Sequence, residues 1–109
     1  MGKAEALVEQ YLVKEVRALG GECYKFSSPG RRNVPDRICV MPMGMLAFVE
    51  CKSATGVLSK GQHKEFERLV NLTQAVMVVN SKVEVDEFIA MIIMQINQRS
   101  QIVTRKVVE

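Results

Sequence analysis

Apolar and polar positions change period several times along the chain, and each change predicts an element. Over residues 4–19, Leu7, Val8, Tyr11, Leu12, Val16 and Leu19 recur at helical spacing, and Gly20-Gly21 stops the pattern. Residues 22–26 form a short strand candidate, followed by a polar loop over 27–34. Residues 37–41 read as a strand, Pro42-Met43-Gly44 as a turn, and the apolar run from Met45 to Val49 as the partner strand. A second loop covers 53–58. Ser59 then opens a helix with Phe66, Leu69, Val70 and Leu72 inward. Residues 75–79 form a strand and residues 85–99 a third helix. The order αβββαβα predicts an α/β domain with a mixed sheet flanked by helices. Residues 1–99 would make that domain. Residues 100–109 read as a loose C-terminal tail, with Ile102 and Val103 as its one strand candidate.

The hairpin brings charges together. Asp36 and Glu50 are equidistant from Met43, so an antiparallel pairing sets them opposite one another to within a residue or two. Residues i and i+2 share a strand face, so Lys52 points with Glu50 and Cys51 points away. Each charge has an ordinary explanation: a strand-start aspartate after Pro35, and a Glu50–Lys52 salt bridge at a sheet end. Together they need more, because two carboxylates repel at close range unless a cation sits between them. Carboxylate oxygens suit Mg²⁺ or Mn²⁺. The main-chain carbonyl of Cys51 is a further candidate ligand, since its side chain faces the other way. Lys52 is suited to stabilising charge or orienting a water.

At these residues the sequence resembles a known family. Pro35-Asp36 and Glu50-Cys51-Lys52 resemble the PD-(D/E)xK nuclease signature. The longer string KFSSPGRRNVPDR…FVECK…LSKGQ resembles the virus-type replication-repair nuclease (VRR-NUC) branch of that superfamily, over roughly residues 5–90. The resemblance implies a restriction-endonuclease-like core and a metal-dependent endodeoxyribonuclease. It adds Glu9 to the site as an acid and further candidate ligand; the helix pattern alone makes Glu9 a solvated glutamate at the margin of the apolar stripe. It also adds Gln62. Ser59-Lys60-Gly61-Gln62 is equally an S-x-x-Q capping box, and both roles stay open. Arg31 and Arg32, in the loop before Pro35, are suited to DNA phosphates, or form a solvated basic turn. Lys25 is a further candidate for that surface, from its strand. Lys60, Lys64 and Arg68 could extend it, diluted by Glu65 and Glu67.

Composition limits the alternatives. At 109 residues and 48% hydrophobic, the chain is one small domain with a single core. Its net charge of +3 permits nucleic-acid binding without demanding it. Three cysteines without metal-ligand spacing point to buried thiols in a reducing, cytoplasmic compartment. No run reaches the length of a membrane span and no signal peptide is seen. The third helix is apolar nearly all round, from Phe88 to Ile96. Such a helix is covered on more than one side, by a second copy of the chain or by its own tail. A two-fold dimer would set two sites against two strands, as cutting four-way DNA requires. The reading is therefore a homodimeric, junction-resolvase-like endonuclease acting on branched DNA, of the kind a phage or mobile element encodes. The alternative is a non-catalytic DNA-binding or assembly module that keeps the nuclease fold.

Overall fold

Helix α1 (Lys3–Ala18) and helix α3 (Lys82–Val108) lie on one face of a four-stranded sheet in the computed structural model, which describes the backbone of residues 2–108 and the side chains of residues 2–100. The strands are β1 (Glu22–Lys25), β2 (Arg37–Met41), β3 (Met45–Cys51) and β4 (Val76–Val79), in spatial order β1-β2-β3-β4. The first three are antiparallel, and β4 runs parallel to β3 after helix α2 (Lys60–Asn71). The sheet is mixed and the element order is the one read from the sequence.

The period-2 pattern decides which face is core. Cys23, Cys39, Met41, Met45, Ala47, Val49, Cys51 and Val79 close against Val8, Leu12 and Val16 of α1 and Val85, Phe88 and Ile92 of α3. All three cysteines are free and buried there, as small hydrophobes. Burying Leu12 and Val16 completely contributes about 1.5–3 kcal/mol each. Gly21 lets α1 approach the sheet: a Cβ there would stand 2.5 Å from the Val40 carbonyl oxygen. The Tyr11 hydroxyl bridges α1 to α3 by donating to Asp86 at 2.6 Å. Glu15 also lies beside that hydroxyl, and the two acids hold its pKa well above the usual range. Glu15 lies near the middle of the apolar stripe of α1, where a Lys or Arg at a subunit contact was the expected partner; it stands instead beside Tyr11 at the α1–α3 contact.

Helix α2 crosses the opposite face, and its inward residues differ from those expected. Glu65 and Phe66 are buried, whereas Val70 and Leu72 are more than half exposed. Positions 62, 65, 66 and 69 form one helical stripe, and Val70 and Leu72 fall outside it. Leu7 of α1 is likewise half exposed.

The other correction concerns the C-terminus. Helix α3 continues to Val108, where a loose tail or a strand through Ile102 and Val103 was expected. Once a helix is nucleated, each added residue gains a hydrogen bond. Gln, Arg and Lys between the β-branched residues favour that continuation, and no Gly or Pro interrupts it. Among the described residues, no helix is long and apolar enough to cross a membrane.

Candidate active site

The start of β2, the end of β3 and the start of α2 meet at one end of the two central strands. The β2–β3 ladder pairs Arg37 with Val49, so the next opposed pair is Asp36 and Glu50. The Asp36 amide donates to Glu50 Oε1 at 3.1 Å. Lys52 Nζ stands 3.4 Å from Glu50 Oε2, on the same face, while Cys51 is buried on the other. Gln62 Nε2 donates to that same Oε2 at 3.1 Å. The capping box is present as well. Ser59 Oγ accepts from the Gln62 amide at 3.1 Å, and Gln62 Oε1 accepts from the Ser59 amide at 3.0 Å. The two roles of Gln62 are therefore compatible: its oxygen caps α2 while its amide nitrogen reaches Glu50.

The carboxylates are crowded, and one Asp36 oxygen is short of a partner. Asp36 Oδ1 is buried and accepts no hydrogen bond among the described residues. Burial first, then the charges of Glu50 and Glu9, push the Asp36 carboxyl up to about 7. The Cys51 amide and Arg37 oppose the shift. Glu9 is buried on α1, not solvated, and Arg37 Nη2 pairs with its Oε1 at 3.1 Å. The Lys52 amide points to Val79 of β4, so the main chain of Cys51 points the other way, toward Asp36.

Known proteins can now be set beside this geometry. No family model matches the chain. A protein described as "Putative nuclease p44", from Acyrthosiphon pisum secondary endosymbiont phage 1, is 46% identical over 78 residues, which span 72% of this chain and 84% of the relative. A solved structure described as a VRR_NUC domain superposes with a TM-score of 0.78 at 33% identity, covering 82% of this chain and 97% of that one. The chain belongs to the VRR-NUC nuclease family.

Within this VRR-NUC chain, Arg31 departs from the expectation. Arg31 is not a free loop cation: its Nε donates to the buried Glu65 at 2.6 Å. Arg32 and Lys25 are exposed and make no ion pair among the described residues. His63 is exposed on α2. Arg37 is new to the picture, and Glu65 takes a buried role in place of a diluting surface charge. Arg37 has a largely buried side chain between Glu9 and the Cys23 carbonyl, with a buried Nε that has no hydrogen-bond partner among the described residues. Its strand parity, shared with Cys39 and Met41, already placed a cation on the core face, where it needs an acid. Glu65 lies on the stripe of Gln62, Phe66 and Leu69, and that stripe was its signal. Among the described residues, no three acidic, Cys or His side chains gather closely enough to hold a metal by themselves.

Proposed function

We propose that this nuclease is a divalent-metal-dependent DNA endonuclease that prefers branched, four-way DNA and acts as a homodimer. The observation that carries metal dependence is the Asp36–Glu50 contact with its orphaned, buried Asp36 oxygen. Such an oxygen costs free energy unless a donor or a cation reaches it. The residues fit a hard cation. Asp36 and Glu50 would hold it, joined by the Cys51 carbonyl and by water, with Glu9 close enough to add charge. Mg²⁺ commonly takes one or two carboxylates and keeps several waters. A carboxylate offers about four lone-pair sites, so the donors now on Glu50 do not exhaust it.

When bound, the ion supplies a water of lowered pKa and neutralises charge on the phosphate. The chain's own groups do the positioning. Gln62, fixed by its cap, holds Glu50 in place. Lys52 keeps an ammonium beside Glu50, where it can orient the attacking water or meet charge developing on the phosphate. Arg37 locks Glu9 toward the acids. Arg31 and Arg32 supply guanidinium groups for DNA phosphates next to the site.

The dimer rests on α3. Val85, Phe88 and Ile92 fill the core, while Met91, Ile93 and Met94 remain exposed on the same helix. A second copy is the simplest cover for that surface, and a two-fold axis then relates two sites. A phage or mobile element is the origin that suits such a protein. A nicking assay on linear, nicked, flap and four-way DNA, with and without divalent metal, tests the reading. Metal-dependent cutting of the four-way substrate is expected. DNA binding without cutting under any divalent metal would favour the non-catalytic module instead.

A further inference from the structure

Glu65 is the acid of α2 that turns inward. It is 7% exposed and lies one helical turn after Gln62. Arg31 donates to its Oε1 at 2.6 Å, and Arg68 Nη1 lies 3.9 Å from its Oε2. Arg31 comes from the loop before Pro35, and Arg68 from the helix itself. One buried carboxylate therefore ties the loop to α2. A second tie stands beside it. Asn33 adopts a left-handed backbone with φ 67° and packs where Gly61 has no side chain. A Cβ on Gly61 would run into the Asn33 amide group.

The docked loop and the helix enclose an open cleft of about 460 Å³, lined by Arg31, Arg32, Lys64 and Arg68 with Glu65 and Asn33. The lining holds four cations and one carboxylate, and two of the cations, Arg31 and Arg68, pair with it. The Arg31 and Arg68 side chains are 48% and 50% exposed, so much of each remains at the surface. A guanidinium has five N–H donors, and Glu65 takes only the Nε–H of Arg31 in a direct bond. The remaining fork of Arg31 can clamp a phosphate in the geometry for which arginine is suited. Glu65 sits buried beneath this basic surface, hydrogen-bonded to Arg31 and near Arg68.

We propose that this cleft is a binding subsite for an internal phosphate of the DNA backbone, with Arg31, Arg32, Lys64 and Arg68 as donors and Glu65 as their positioning residue. The proposal rests on the nuclease reading for DNA as the ligand. The helix that delivers Gln62 to Glu50 presents Glu65 about 5 Å further along its axis. The bound phosphate therefore belongs to a strand that runs through the candidate active site. The cleft is open to solvent, which leaves room for the strand to continue on either side of the bound phosphate. A 5′-terminal phosphate shares the chemistry and is the competing source.

Fluorescence anisotropy of a labelled duplex in chelator tests this without cleavage. The double variant Lys64→Ala/Arg68→Ala changes two exposed positions. It should weaken binding about tenfold at moderate salt and flatten the log–log salt slope by roughly 0.9, the one phosphate contact at this subsite. Glu65→Gln separates positioning from net charge. It removes one negative charge, so a merely electrostatic surface would bind DNA more tightly. The proposal expects binding several-fold weaker, because Arg31 loses its charged anchor and Arg68 its nearby counter-charge. An unchanged slope in the double variant, or equal or tighter binding by a folded Glu65→Gln protein, overturns it. Equal wild-type affinity with and without a 5′-phosphate is expected. A 5′-phosphate advantage that disappears in the double variant overturns the internal assignment. If wild type cuts DNA with Mg²⁺ but these binding results fail, the subsite is wrong and the nuclease reading stands. If they hold but no divalent ion supports cutting, the nuclease reading is wrong and the subsite stands.

Discussion

Asp36 is held in a position that disfavours its own charge. In an unfolded chain its carboxyl ionises near pH 3.9, at about the usual value. In the folded protein, burial and the neighbouring Glu50 and Glu9 push it up to about 7. Between those values the unfolded chain loses its proton while the folded chain keeps it. Stability should therefore fall as pH rises from about 4 to 7 and level off above. Asp36→Asn removes this dependence. A full shift of this size corresponds to about 4 kcal/mol, and solvent screening at a half-open site leaves roughly 1–2 kcal/mol. Melting in chelator should show the variant gaining on wild type through that window and keeping its advantage at pH 8. Parallel melting curves would contradict the crowded-carboxylate account. Lys52 is tested differently, because its ammonium is not a ligand. Lys52→Ala should cut roughly 10²–10³ times more slowly while calorimetry still shows metal binding. Lost metal affinity, or near-normal turnover, would contradict that assignment.

Among the elements, the hairpin was the most legible. A strand pattern on each side of a short turn defines the register, and that register alone sets Asp36 opposite Glu50. Period 2 then separates Lys52 from Cys51. The cap of α2 was legible as well, since Ser59 and Gln62 interact locally. The reach of Gln62 to Glu50 was not, because it depends on how α2 crosses the sheet. Only the family resemblance suggested it. Glu9 is the same case: its helix position looked solvated, and its burial comes from Arg37 on a strand far away in sequence. Arg37 and Glu65 carry readable signals, a charge on a buried parity and an acid on an inward stripe. Both signals are faint beside the motif acids. The end of α3 departs from its local pattern. Ile102 and Val103 carry β-propensity, whereas a helix already running through Arg99 decides the conformation of the residues after it.

For the whole molecule, α3 carries the assembly claim. One side of the helix is core and another leaves Met91, Ile93 and Met94 in water. Light scattering should give a dimer mass at micromolar concentration, and Met91→Glu/Met94→Glu should give a monomer, since burying two new carboxylates at the interface is costly. The dimer should cut four-way DNA at symmetry-related positions and linear duplex poorly. A monomer mass for wild type would remove the dimer, and equal rates on linear and branched DNA would remove the selectivity. The nuclease itself would survive either result.

The central claim is that Asp36 and Glu50 hold a divalent ion that hydrolysis requires. The most direct measurement is single-turnover cleavage of four-way DNA across a Mg²⁺ titration, for wild type, Asp36→Asn and Glu50→Gln. The account predicts saturable, Mg²⁺-dependent cutting by wild type that stops with chelator, and no detectable cutting by either folded variant. Cleavage that persists in chelator, or either variant cutting at the wild-type rate, would contradict it.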